Sequence, residues 1–233
     1  MALILCIETG TDICSVGIVR DGELIALRES DEGRDHATKI AVFTSELLAE
    51  SGISGDELDA VAIGKGPGSY TGLRIGVSFA KGLCYGLGIP LIAINSLESM
   101  ARVAIEDYEA GIIGVDDWQR AVLCPMVDAR RMEVYVQLFD SEAHALNEVA
   151  AEIIDEQSFA AYRTERPFVI FGNGAAKCRE VLGATAISVL PSVRGMARLA
   201  EEAFQRGDFV DTAYFEPFYL KDFVVTTTRK PLF

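Results

Sequence analysis

One stretch of the sequence has residue types that could bind an anion: the glycine-rich loop from Gly64 to Gly72. It follows the apolar run 60–63, which predicts a buried strand, and it precedes a helix predicted over 71–87. Backbone N–H groups at a glycine turn before a helix can bind phosphate. However, no lysine follows the last glycine as in Gly-x4-Gly-Lys-[Ser/Thr], and Gly-x-Gly-x-x-Gly does not occur at the first strand–helix crossing. The pattern therefore favours a tight structural turn over a nucleotide-binding loop.

Hydroxyl and imidazole side chains add no catalytic pattern. Ser69 and Thr71 lack the Gly-x-Ser-x-Gly spacing of a nucleophile elbow, and a turn with a helix N-cap explains them. His36 and His144 are isolated, and Ile40 stands where a second helical metal ligand after His36 would be needed. We expect His36 at a helix start or on the surface. No metal site is predicted, and the absence of His-Glu-x-x-His argues against a metalloprotease.

The overall composition excludes several classes of protein. The 233 residues carry a formal net charge of −14, which makes direct binding to nucleic acid or an anionic membrane unfavourable. No apolar run is long enough to span a membrane, and the N-terminal stretch predicts a strand instead of a signal peptide. The five cysteines have no Cys-x-x-Cys spacing and lie mostly in apolar runs. They predict reduced core thiols in a cytoplasmic protein.

Secondary-structure patterns repeat along the chain. The first half predicts the order βββαβαβα, with a hairpin signal at Asp21-Gly22, and the same order recurs in the second half. The fold class predicted is therefore α/β, with two similar lobes that are each a mixed sheet flanked by helices. This order is similar to that of the actin, Hsp70 and sugar-kinase class (ASKHA, ribonuclease H-like). We assign the N-lobe to 1–107, a linker to 108–119, the C-lobe to 120–206 and a tail that packs back onto the body to 207–233, with its last residues, 226–233, disordered.

Two helices of the first half carry more apolar surface than one core-facing stripe needs. The first is predicted over 36–51 and the second is the glycine-rich helix over 71–87. In the second helix, small residues also recur every four positions, a spacing that lets another helix approach closely. The pattern leaves two alternatives open: a helix buried within its own domain, or an interface with a partner. The off-face apolar positions are Val42, Ala49, Ile75 and Phe79, and the small positions include Gly72, Gly76 and Ala80.

The segment Gly66-Pro-Gly-Ser-Tyr-Thr-Gly-Leu-Arg-Ile-Gly76 resembles the TsaB (YeaZ) family. Matches in the same order span most of the chain: Ile7-Glu-Thr-Gly, Ser96-Leu-Glu, Asp128-Ala-Arg-Arg-Met-Glu-Val-Tyr135 and Glu216-Pro-Phe-Tyr-Leu220. The resemblance implies an actin-like fold and a role in making threonylcarbamoyladenosine on tRNA. In that role the chain is a non-catalytic scaffold for the related subunit TsaD, which transfers the threonylcarbamoyl group to adenosine 37. The resemblance also implies a homodimer in isolation and the ATPase subunit TsaE as a third partner.

The same resemblance bears on the two apolar helices, because family members contact TsaD through the first two helices of the N-lobe. It favours an interface over a purely internal role for the glycine-rich helix. The predicted interface residues are accordingly Val42, Ala49, Gly72, Ile75, Gly76, Phe79 and Ala80.

A phosphotransferase of the actin or sugar-kinase class is the alternative function. There, an acidic residue at the end of the first strand and a Gly/Thr loop hold phosphate and magnesium, which Glu8-Thr9-Gly10-Thr11-Asp12 matches loosely. The second loop, at Asp128 to Arg131, offers no glycine or hydroxyl group to phosphate, and Gly172-Asn-Gly174 predicts a strand-end turn. We therefore expect no cofactor, with weak nucleotide or magnesium binding left open. Asp128 and Arg130 are candidates for that site or for bridging the lobes.

Overall fold

The computed structural model describes residues 2–32 and 35–220. Its first half forms a five-stranded mixed sheet in the order β3-β2-β1-β4-β5. The central strand, β1, is antiparallel to β2 and parallel to β4. The elements are β1 (Leu3–Glu8), β2 (Cys14–Arg20), β3 (Glu23–Ser30), α1 (His36–Ser51), β4 (Ala60–Gly64), α2 (Tyr70–Leu87), β5 (Leu91–Ile94) and α3 (Ser96–Glu109).

The second half repeats this topology. Its five strands lie in the order β8-β7-β6-β9-β10, with β6 antiparallel to β7 and parallel to β9. The predicted two-lobed α/β fold is thus confirmed, with the predicted element order in each lobe. The elements are β6 (Val122–Asp128), β7 (Glu133–Val136), β8 (Ala150–Ile153), α4 (Ala160–Arg163), β9 (Phe168–Phe171), α5 (Ala175–Leu182), β10 (Thr185–Ala186) and α6 (Ala197–Arg206).

Several elements of the C-lobe are shorter than their sequence pattern predicts. The sequence pattern predicts a helix over 155–163, but α4 begins only at Ala160. The reason is local: the Asp155 carboxylate accepts the N–H groups of Gln157 and Ser158, which closes a turn in place of the first helical turn. The sequence pattern also predicts a strand over 132–139, whereas β7 covers only Glu133–Val136.

Each sheet is covered on one face by a helix from the other half of the chain. The 3-10 turn at Val193–Met196 and α6 pack on the N-lobe sheet, in a core that includes Ile4 and Cys6. In turn, α3 packs on the C-lobe sheet against residues such as Phe171. The segment 108–119 also contributes to that core, since Trp118 is buried and stacks on Tyr108 at 4.1 Å. Hydrophobic packing therefore ties the two lobes together, while the predicted division into domains stays a prediction.

The strands that both helical layers cover consist of nearly continuous apolar residues. All six residues of β1 and all five of β4 are buried, which is typical of sheets with both faces protected from water. Among the described residues, every cysteine lies buried with a free thiol. None of the helices in residues 2–32 and 35–220 combines the length and apolar character that crossing a membrane requires. The predicted disorder of 226–233 falls outside the described residues.

Candidate functional site: the interlobe cleft and the outer face of two helices

A cleft of about 1080 Å³ opens between the two lobes. Four segments form its walls: the β1–β2 loop, the glycine-rich loop before α2, the β6–β7 turn and the end of the described chain. Of the residues predicted for a nucleotide or lobe-bridging site, the cleft is lined by Gly10, Thr11, Asp12, Asp128 and Arg130.

The two remaining predicted residues, Glu8 and Thr9, face the interior and do not line the cleft. Glu8 has no exposed surface, and its carboxylate accepts hydrogen bonds from Gly10 N and Ser96 Oγ, each at 2.7 Å. Burial raises the pKa of Glu8, although these hydrogen bonds act against the shift. Thr9 donates its hydroxyl to Gly72 O at 2.9 Å. The structure therefore gives both side chains a bracing role between β1 and the elements beside it.

The glycine-rich loop uses its backbone N–H groups on its own chain. Ser69 N donates to Gly10 O at 2.6 Å, and Gly66 N donates to Ser96 Oγ at 3.2 Å. Gly72 N donates to Ser69 Oγ, so Ser69 is the N-cap of α2, as predicted. A Cβ added at Gly68 would lie 2.3 Å from Gly10 O, which shows how closely the two loops pack. The prediction of a tight structural turn is confirmed.

The C-lobe wall of the cleft is the tight turn between β6 and β7. Its two central residues, Arg130 and Arg131, have φ angles of 74° and 52°. The Asp128 carboxylate accepts the Arg130 N–H and forms an ion pair with Lys177, which also donates to Glu133 O at 2.7 Å. The predicted turns at 128–131 and 172–174 are both present, and Asn173 joins them by accepting the N–H of Asp128. The one carboxylate that this turn presents is thus already engaged.

The histidines do not form a metal site. His36 is the first residue of α1, as predicted, but it is buried, and its Nε2 donates to Thr11 O at 2.7 Å. The expected alternative of a surface position is therefore wrong. His144 pairs with Asp140 on the C-lobe surface. Across the described part of the chain, no group of three His, Cys, Asp or Glu side chains is arranged to hold a metal ion.

The small residues that recur every four positions in α2 face inward. A Cβ added at Gly72 would lie 2.1 Å from Thr9 O, and one at Gly76 would lie 2.2 Å from Thr9 Oγ1. Ala80 is fully buried in the core beneath α1 and α2. The close approach that this spacing predicted is thus made by the chain's own β1–β2 loop. These three predicted interface positions lie behind the surface and not on it.

The outer face of α1 and α2 is formed by other residues. Val42 is 44% exposed and Ala49 is exposed on α1, while Ile75 and Phe79 are half-buried on α2. Sequence reasoning missed further members of this face: Gly82, Gly86 and Tyr85, of which Tyr85 is 90% exposed. A Cβ added at either of these glycines meets nothing within 4 Å. The helical angle of these glycines, opposite the buried stripe, was the signal that could have identified them.

Two lobes of equal sheet order on either side of a cleft define the two-lobed, actin-like class of α/β proteins. Residues 30–225 match the model of the family described as "TsaD: tRNA N6-adenosine threonylcarbamoyltransferase". A solved structure described as "YeaZ from Pseudomonas aeruginosa" superposes with a TM-score of 0.78 at 25% identity, over 94% of this chain and all of that one.

Two curated relatives are similar over nearly their whole length. The proteins of Haemophilus influenzae and Escherichia coli are each 29% identical over 232 residues, which cover 94% of this chain and 93% and 94% of the relatives. Both are described as "tRNA threonylcarbamoyladenosine biosynthesis protein TsaB". The protein of Bacillus subtilis with the same description is 32% identical over 64% of this chain and 60% of its own length. The chain therefore belongs to the TsaD-related family, and within it to the TsaB (YeaZ) group.

Proposed function

We propose that this protein is a non-catalytic scaffold subunit in the biosynthesis of threonylcarbamoyladenosine on tRNA. It binds the catalytic subunit TsaD through the outer face of α1 and α2. The descriptions of its relatives support the pathway, and the composition of this outer face is the observation that supports the partner role.

Glycines in the middle of a helix require a reason, because each costs about 1 kcal/mol relative to alanine. For Gly72 and Gly76 the reason lies inside the fold, where an added Cβ would collide with Thr9. Gly82 and Gly86 have open space around them, so the described fold does not require them. A partner helix that approaches the outer face of α2 closely would account for both.

Apolar side chains on the same face support a partner of similar character. Val42 and Tyr85 expose 44% and 90% of their surface to water. Full burial of a large apolar side chain contributes about 1.5–3 kcal/mol, so covering the part of each that is still exposed adds a corresponding share to the stability of a complex. The combination of exposed apolar side chains and unobstructed glycines is what a closely packed helix–helix interface needs.

The proposal that the subunit is non-catalytic rests on the contacts of the candidate catalytic side chains, which are already engaged within the fold. Glu8 is enclosed, and Asp128 is paired with Lys177. The family resemblance implies that the catalytic subunit TsaD carries two metal-binding histidines, four residues apart, on its first helix. Here Ile40 occupies the second position and is buried in the core.

The proposed interface is tested by charge substitution. Val42→Glu and Ile75→Glu place a carboxylate on the outer face, and we expect each to weaken binding to TsaD of the same organism by at least tenfold. Leu190→Glu is the matched control, because Leu190 has a similar exposure of 46% and lies before the 3-10 turn, outside α1 and α2. Calorimetric titration measures the affinities. Wild-type affinity in both outer-face variants would contradict the proposed interface.

The isolated chain is expected to use the same face to form a homodimer. TsaD then takes the place of the second copy on that face. TsaE is the third subunit of the assembly, and no surface is assigned to it. The chain alone is not expected to bind tRNA directly, because its net charge is −14. In this proposal it works in the cytoplasm, a reducing compartment that suits its buried free thiols.

A nucleotide-binding role is the second candidate, and the interlobe cleft is the observation that favours it. Its volume of about 1080 Å³ and its lining by Arg130, Arg131 and Tyr70 are compatible with a nucleotide. Titration of the chain with ATP and Mg²⁺ separates the two functions. Micromolar binding that Arg130→Ala abolishes would favour the nucleotide role over a purely structural cleft.

A further inference from the structure

The last described segment, residues 208–220, runs from the inner side of the N-lobe to the cleft, and we call it the C-terminal strap. After α6 the strap pairs with the free edge of β5, where Val210 N donates to Leu91 O at 2.9 Å. It then crosses to the opposite side of the sheet, and Phe215 packs against the core beneath α1 and α2. The strap is therefore bound to the N-lobe at several separate points.

One side chain of α2 holds the middle of the strap. The Lys81 ammonium donates to Ala213 O at 3.0 Å and to Phe215 O at 3.1 Å. These two acceptors lie more than 130 residues away in sequence, so the contact is purely tertiary. A charged donor makes stronger hydrogen bonds than a neutral one, and here it binds two carbonyl groups at once.

The end of the strap is attached at the cleft. Phe218 N donates to Lys65 O at 2.8 Å, in the glycine-rich loop. The ring of Tyr219 lies 5.0 Å from the ring of Tyr70, the first residue of α2. Arg74 in turn donates to the Tyr70 hydroxyl at 2.7 Å. As a result, residues 218–220 form part of the cleft wall.

We propose that the C-terminal strap is a movable wall of the interlobe cleft. Its position is fixed by the hydrogen bonds of Lys81, which we call the latch. Two of the strap's attachments, Lys81 in the middle and Tyr70 with Arg74 at the end, come from α2. The helix that presents the outer face thus also holds the strap at the N-lobe side of the cleft. Loss of the two hydrogen bonds that Lys81 donates is expected to loosen the strap as far as Phe218 and to open the cleft from the N-lobe side. This proposal concerns the isolated chain and does not depend on the identity of any partner.

Hydrogen exchange measured by mass spectrometry on the full chain tests the latch. In Lys81→Met the two carbonyls lose their shared donor, and we expect the Phe218 amide to exchange about tenfold faster than in the wild type. Lys81→Arg keeps a charged donor group and should exchange like the wild type. The amides of β1 are the internal reference, because they report on unfolding of the whole N-lobe. Unchanged protection of Phe218 in Lys81→Met would overturn the proposal.

Two additional measurements decide the remaining outcomes. If β1 also loses protection in Lys81→Met, the variant Tyr219→Ala is measured in its place. Faster exchange of the Phe218 amide with β1 unchanged supports the proposal. Unchanged exchange of the Phe218 amide overturns the proposal. Opening of the cleft is followed by hydroxyl-radical oxidation of Met132, which lines the C-lobe side. Oxidation is expected to increase in Lys81→Met but not in Lys81→Arg. Equal oxidation in all three proteins would refute the link between the latch and the cleft.

Discussion

Two glycines on one helix are expected to respond in opposite ways to the same substitution. Gly72 and Gly82 both lie in α2, but an added Cβ would collide with another part of the chain only at Gly72. An alanine at position 72 would bring its Cβ to 2.1 Å from the backbone oxygen of Thr9. An alanine at position 82 meets nothing within 4 Å. The pair thus separates the inner, structural glycines of α2 from the outer ones.

The size of the effect follows from two terms. Alanine is about 1 kcal/mol better than glycine within a helix, and this gain applies at both positions. Overpacking costs about 1–3 kcal/mol, and the upper end applies at Gly72 because the obstacle is the backbone oxygen of Thr9, whose hydroxyl also donates to Gly72 O and holds the two residues together. Gly72→Ala is therefore expected to destabilise the fold by about 2 kcal/mol, and Gly82→Ala to stabilise it by about 1 kcal/mol.

Thermal and urea unfolding, followed by circular dichroism at low protein concentration, measure the difference. For a chain of this length, 1 kcal/mol shifts the Tm by about 2–4 °C, so Gly72→Ala should unfold about 4–8 °C lower and Gly82→Ala about 2–4 °C higher. Low concentration limits any contribution of self-association to the measured stability. Equal stability of the two variants would refute the assignment of Gly72 to an inner contact.

Three further predictions concern buried and cleft groups. Burial raises the pKa of Glu8 above its ordinary value of 4.5, so the folded state holds the carboxyl proton more tightly than the unfolded chain does. The stability of the wild type should therefore fall as the pH rises from 4.5 towards neutrality. Glu8→Gln should remove that part of the pH dependence in urea unfolding, and an unchanged slope would contradict the shift. Burial also raises the pKa of the Cys14 and Cys84 thiols to about 11, and all five thiols are buried. None of them should therefore react with a disulfide reagent at pH 7.5 before the protein unfolds. Rapid reaction in the native state would contradict their burial. The double variant Asp12→Asn, Asp128→Asn should support TsaD-dependent tRNA modification within about twofold of the wild type if the cleft is not catalytic, whereas loss of more than about tenfold would indicate a catalytic role.

The sequence predicted the order of strands and helices because the local signals were strong. Continuous apolar runs identified β1 and β4, and Asp21-Gly22 identified the first hairpin. The exchange of α3 and α6 between the lobes could not be predicted, because helical periodicity identifies an apolar face but not the sheet that it covers. The short α4 shows the limit of periodicity where an aspartate closes a competing turn.

The candidate site was predicted in its parts but not in its arrangement. Glu8 and Thr9 have residue types that suit a phosphate-binding loop, yet both side chains are buried, because Glu8 bonds to Gly10 N and Ser96 Oγ and Thr9 bonds to Gly72 O. Gly72 and Gly76 have the spacing of a helix–helix contact, and only coordinates distinguish an internal loop from an external partner. Gly82 and Gly86 lie outside the four-residue repeat of small residues, and only their helical angle, opposite the buried stripe of α2, could have identified them.

The central claim is that this chain binds a partner through the outer face of α1 and α2. Size-exclusion chromatography with light scattering, on the chain alone and after mixing with TsaD of the same organism, tests it most directly. We expect a homodimer that gives way to a mixed complex, and we expect Val42→Glu to prevent both associations while the monomer stays folded. A wild-type monomer that does not bind TsaD would contradict the account.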